Sequence, residues 1–390
     1  MDEMKNENIA AAQNTAQASP EPASAPCETV AAPAFDEKLE AQKRAFVKKQ
    51  IKRDISLSNT VPIINMLFSS ALTFILPFAA AFIYGLTVAL SGGQPNDESY
   101  AYFIDTFFSG SGAIAQAVNI VIYMLMLSVG PLIYWIIRSK YKFTELIGMK
   151  KVTFSKMLYC TVFAIGISYV FNVIASMVLA FLTALGLDMT VPDFSAPESG
   201  SSLMANVLYI ISLTVMPCIF EEFAYRGFTT ARVRKTAPYA AILVSSLAFS
   251  LMHGTVTQIP GSLVFGLVLG YFVVRYDCIW IGVFAHFVNN LFAILPSLLS
   301  QYLPELAVNL IFSAVTVAIF VAMLCLVPVY LIRHGIKIKG DEGALSFGES
   351  MKAVFTSVGF YLMLGAAVIN FITTNFGADI LTFIMGIGAA

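Results

Sequence analysis

The chain has 390 residues, of which 58% are hydrophobic and only 12% charged. A soluble domain carries roughly twice that charged fraction, so the composition excludes a soluble enzyme and points to an all-α, polytopic bundle of membrane helices. Lys and Arg (23) nearly balance Asp and Glu (24) for a net charge of -1, so charge balance gives no ground for a nucleic-acid partner.

Residues 1–42 are rich in Ala, Pro, Glu, Ser and Thr and lack an apolar pattern, which reads as a disordered cytoplasmic tail. No apolar core follows a basic start there, so the stretch is not read as a signal peptide. Residues 43–60 turn basic, with Lys43, Arg44, Lys48, Lys49, Lys52 and Arg53 interleaved by Phe46, Val47 and Ile51. That pattern predicts a short amphipathic helix on an anionic membrane face, with lipid headgroups as its partners.

Residues 61–390 read as the membrane domain, with eight to nine spans found as apolar runs near 20 residues long. The runs fall at about 61–90, 113–137, 157–185, 203–225, 238–254, 261–276, 278–299, 305–332 and 352–373; a last stretch, 378–390, is too short to count as a span. Basic residues precede the first span and recur from Arg138 to Lys156, from Arg226 to Lys235, at Arg275, and from Arg333 to Lys352. The opposite loops hold Asp97, Glu98, Asp188, Asp193 and Glu198 and no Lys or Arg. The positive-inside rule then puts the N-terminus in the cytoplasm. Cys27, Cys160, Cys218, Cys278 and Cys325 show no metal spacing; the last four lie in apolar runs and read as buried thiols.

Polar groups concentrate in three spans, the fourth, fifth and seventh. Ionisable side chains are costly in hydrocarbon, so such a set marks a functional site. Glu222 and Arg226 are four apart, share a helix face and can pair, while Glu221 points elsewhere and stays free to act as a base. Phe249 and His253 are four apart in the next polar span, as are His286 and Asn290 in the third, with Asn289 a rival on the same face. Taken singly, each set also fits a plain role: a wet helix end, a structural histidine, an interhelical hydrogen-bond pair.

Together, Glu221-Glu222-x-x-x-Arg226, Phe249-x-x-x-His253 and His286-x-x-x-Asn290 resemble the three motifs of the CAAX-protease and bacteriocin-processing family of intramembrane endopeptidases, over roughly 205–295. The flanks Arg226-Gly227-Phe228, Phe265-Gly266, Gly270-Tyr271 and Ile279-Trp280 add to the likeness. The resemblance implies hydrolysis of a peptide bond in a peptide or lipid-modified protein. It assigns Glu221 and His253 to water activation and His286 and Asn290 to the oxyanion, with Glu222, Arg226 and Phe249 in support. Glu221, His253 and His286 would also make a three-ligand set for one divalent metal such as zinc. The chain has no HExxH, so a metal-free route and a metal-assisted one both stand open. The expected setting is a bacterial cell membrane. A non-catalytic immunity or scaffold protein of the same fold is the rival reading; a transporter would need paired broken helices in two related halves, and the sequence shows none.

Helical rise leaves one tension. His286 lies about 12 Å in from Cys278 and His253 about 22 Å in from Pro238, so straight vertical helices would hold the two histidines out of register. Tilt, a span that starts deeper, or unwinding near Gly254 would close the gap.

Overall fold

The computed structural model describes residues 32–110, 112–138, 142–186, 197, 201–336, 338 and 345–385. The chain forms two units, residues 1–43 and Arg44–Ala390. Of the stretch read as a disordered tail, 1–31 lie outside the described residues; from Ala32 the chain is helical. In the first unit, residues 37–43 are exposed.

The second unit continues helix α1 (Ala32–Ser58), then runs through α2 (Thr60–Ser91), α3 (Asp97–Ile104), a π turn at Asp105–Ser109, α4 (Ala113–Ile137), the single turn α5 (Phe143–Leu146) and α6 (Phe154–Ala184). There follow α7 (Leu203–Ile210), a π turn at Ile211–Val215, α8 (Met216–Glu221), a longer π turn at Glu222–Phe228, and the short α9 (Val233–Thr236). The rest is α10 (Pro238–Met252), α11 (Ile259–Tyr276), α12 (Ile279–Leu299), α13 (Glu305–His334), α14 (Phe347–Phe355) and α15 (Val358–Met385). Among the described residues, eight helices are long and apolar enough to cross a membrane, so the chain is an all-α, multi-pass membrane bundle. The fifth expected span falls short of that length, since α10 has 15 residues. The expected run at 352–373 and the stretch after 378 are divided differently. Lys352 belongs to the separate helix α14, which starts in a Ser346/Glu349 capping box, and α15 runs unbroken to Met385.

The amphipathic segment forms a helix, but its apolar stripe is covered by protein. Val47, Ile51 and Ile55 are spaced by four, and Ile51 and Ile55 are buried in the main core, while Phe46 is 69% exposed. The carboxylate of Asp54, buried on this helix, lies 3.7 Å from Arg138 at the end of α4 and 3.4 Å from Arg232 just before α9. The charged segment is therefore tied to the protein as well as facing outward.

The core draws Leu127 and Tyr134 from α4, Tyr225 and Phe228 from the π turn at Glu222–Phe228, Phe249 from α10, Leu269 from α11 and Met363 from α15. Helix α15 closes on α2 through a Thr373–Ser70 hydroxyl pair at 3.0 Å. The loop before α6 and the start of α12 are pinned by Asp277, which pairs with Lys150 at 3.3 Å and Arg234 at 3.4 Å. Burial pushes the Arg234 guanidinium below its ordinary value, and Asp277 opposes that shift. Cys160, Cys218 and Cys278 are buried as expected, whereas Cys325 is exposed on α13.

Candidate active site

The helix carrying the two glutamates is not a regular α-helix. Two π turns flank α8, so the chain is wound more loosely on both sides of Glu221. Pro217 contributes to this break: it has no N–H, so the carbonyl of Leu213 loses its usual partner four residues on. Asn290 of α12 fills that gap, its Nδ2 donating to Leu213 O at 3.1 Å. The Asn290 Oδ1 accepts from Asn289 Nδ2 at 3.2 Å. Much of the Asn290 amide is thus spent on the scaffold.

Glu222 and Arg226 pair as their spacing predicts, Nη1 donating to Oε1 at 2.9 Å, with both side chains 0% exposed. The same Oε1 accepts from His286 Nδ1 at 3.0 Å. Glu222 is therefore held between a guanidinium and an imidazole. Gly282, one turn before His286, makes this possible, because a Cβ there would fall on Glu222 Oε2. The Arg226 guanidinium lies 3.9 Å above the ring centroid of Phe249, which shields the buried charge from other solvation.

Glu221, 4% exposed, has a neighbour the spacing did not disclose. The hydroxyl of Tyr123, on α4, donates to its Oε1. Its Oε2 has no hydrogen-bond partner and faces His286 Nε2 at 3.8 Å. His286 thus spans the two glutamates. With Nδ1 donating to Glu222, a neutral ring carries its lone pair on Nε2, toward Glu221.

His253 sits at the end of α10, half-buried, with Nδ1 donating to Phe249 O at 2.9 Å rather than bonding to Glu221. Gly254 follows at φ +68, a left-handed conformation that ends the helix. Asn370 of α15 caps the freed carbonyl of Met252 at 2.9 Å. The unwinding expected near Gly254 is present. Both histidine rings pack in T-shaped geometry with one side chain, the Phe249 ring, at centroid distances of 5.1 Å for His253 and 5.7 Å for His286.

The sequence leaves a metal-assisted route and a metal-free one open. Among the described residues no three His, Cys, Asp or Glu side chains converge as a metal site requires. His286 Nδ1 is turned to Glu222 and His253 Nδ1 to its own helix, so either ring could meet a ligand only through Nε2. A metalloprotease is therefore not supported by the described residues.

Residues 203–292, which hold Glu221, Glu222, Arg226, Phe249, His253, His286 and Asn290, match the family model described as type II CAAX prenyl endopeptidase Rce1-like. The segment belongs to the CAAX-protease family. No curated protein and no solved structure matches the chain. A segment similar to a peptidase family thus sits within a multi-pass membrane bundle. Three contributors escaped the motif reading: Tyr123, Gly282 and Pro217. Of these, Tyr123 had a signal. It stands at i with Leu127, Gly130 and Tyr134 at i+4, i+7 and i+11, one helix face, and a buried tyrosine hydroxyl needs a partner.

Proposed function

We propose that the protein is an intramembrane endopeptidase in which Glu221 activates the water that cleaves a peptide bond. One observation carries this reading: Glu221 Oε2 is buried with no hydrogen-bond partner among the described residues and lies 3.8 Å from His286 Nε2. A polar gap of that width is one a water bridges. The water gives its proton to Glu221 and its oxygen attacks the scissile carbonyl carbon. The resulting oxyanion is met by polar hydrogens of the site, and the C–N bond breaks as the proton passes to the leaving amine. Glu222, held by Arg226, fixes the tautomer and orientation of His286. Phe249 fixes His253, whose Nε2 is left for water or substrate. Asn290 keeps one amide hydrogen for the oxyanion after bonding Leu213. No step in this scheme passes through a metal.

The substrate class is a peptide or lipid-modified protein reached from the bilayer. The alternation of basic loops supports a cytoplasmic N-terminus and a site reached from the cytoplasmic side. A bacterial cell membrane is the setting this reading favours. The test is a product map of the purified full chain against a peptide library, run beside Glu221→Gln. Discrete cleavage lost in the variant supports the reading. No cleavage, or cleavage equal in both, defeats it and favours a non-catalytic scaffold or immunity role.

A further inference from the structure

We propose that Tyr123 is a positioning residue for Glu221, holding one carboxylate oxygen so that the other faces His286. The inference rests on the endopeptidase reading above and adds to it a residue from outside the family segment 203–292. Tyr123 lies on α4, near the middle of a span whose outer face shows Val121, Leu125, Leu132 and Ile136 to the surroundings. Its inner face packs Leu127 and Tyr134 into the core. The Tyr123 hydroxyl donates to Glu221 Oε1, and no other hydrogen bond holds that side chain. A glutamate turns about three side-chain bonds. With Oε1 fixed, the carboxylate plane is set and Oε2 stays directed at His286 Nε2, 3.8 Å away. Without the phenol the carboxylate can rotate or fall back onto Arg226, which already serves Glu222.

Misplacing a reacting group by about 1 Å can cost on the order of 10²-fold in rate. Tyr123→Phe removes the hydroxyl and keeps the ring. With a quenched-fluorescent peptide taken from the cleavage map, it is expected to lower kcat by roughly 10- to 100-fold while KM stays within about twofold. Its melting temperature in detergent should match the wild type. A second readout needs no activity. With ring-labelled tyrosine, the infrared difference between wild type and Tyr123→Phe isolates the Tyr123 phenol C–O band, and that band should move in Glu221→Gln. A kcat within twofold of wild type, an early melt, or a phenol band indifferent to Glu221→Gln overturns the inference. If Glu221→Gln itself cleaves normally, the endopeptidase reading fails and the inference with it. If Glu221→Gln is dead and Tyr123→Phe is normal, the inference alone fails.

Discussion

Arg226 and Glu222 are each wholly buried and pair at 2.9 Å, while Glu221, one residue earlier, bonds to Tyr123 and faces His286. Two adjacent carboxylates thus sit in different environments, and substitution should separate them. Glu221→Gln keeps the shape and removes the base; loss of a general base costs about 10² to 10⁴ in rate, so cleavage should fall to near background with the melting temperature kept. Glu222→Gln leaves a buried guanidinium without its anion, which costs about 3–5 kcal/mol. It also loosens His286, so stability and activity should fall together. Adding Arg226→Met to Glu222→Gln removes both charges and should restore part of the stability but not the activity. Thermal melts beside a cleavage assay decide the matter: an early melt for Glu221→Gln with a stable, inactive Glu222→Gln would reverse the two roles.

At the scale of elements, the broken helix Leu203–Phe228 is what sets the two glutamates apart. The four-residue spacing of Glu222 and Arg226 was enough to read their pairing from the sequence, since that contact is local. The π turns were not readable, because they depend on which partner captures a carbonyl left without a donor. Pro217 is visible in the sequence, but that Asn290, 77 residues beyond Leu213, would supply the missing donor is not. Tyr123 illustrates the same limit: its face on α4 was legible, its partner 98 residues away was not. The register of His253 and His286 depended on the shared ring of Phe249 and on the left-handed Gly254. A consequence follows for Asn290. Asn290→Ala orphans the Leu213 carbonyl in a dry environment, which costs about 1–3 kcal/mol. The variant should melt earlier even where substrate is absent. An unchanged melt would mean that the bond to Leu213 contributes nothing and that Asn290 serves substrate alone.

For the whole molecule, composition and apolar run length fixed the class, because a bilayer accepts only closed hydrogen-bond patterns over a set length. The 15-residue α10 fell outside that rule because protein encloses it, with Ala240, Val244, Ala248 and Phe249 all in the core. Orientation follows from loop charge, so a reporter fused after Arg138 should read cytoplasmic and one near Glu98 external; the reverse at either point overturns the proposed access side. Arg138 matters in a second way. Together with Arg232 it surrounds the carboxylate of Asp54, which is 1% exposed, so one side chain joins α1, α4 and the turn that follows the glutamate helix. Asp54→Asn removes the buried carboxylate that Arg138 and Arg232 share. Breaking a buried pair costs about 3–5 kcal/mol, and the partial exposure of both arginines argues for the lower end, about 3 kcal/mol. Because Arg232 lies six residues beyond Arg226 in the chain, the loss should also loosen the π turn that seats Glu222. The expected result is an earlier melt with lowered cleavage, both partly recovered by high salt, which screens the two arginine charges from each other. A melt unchanged from wild type would show that Ile51 and Ile55 dock α1 unaided and that the Asp54 cluster adds no stability of its own.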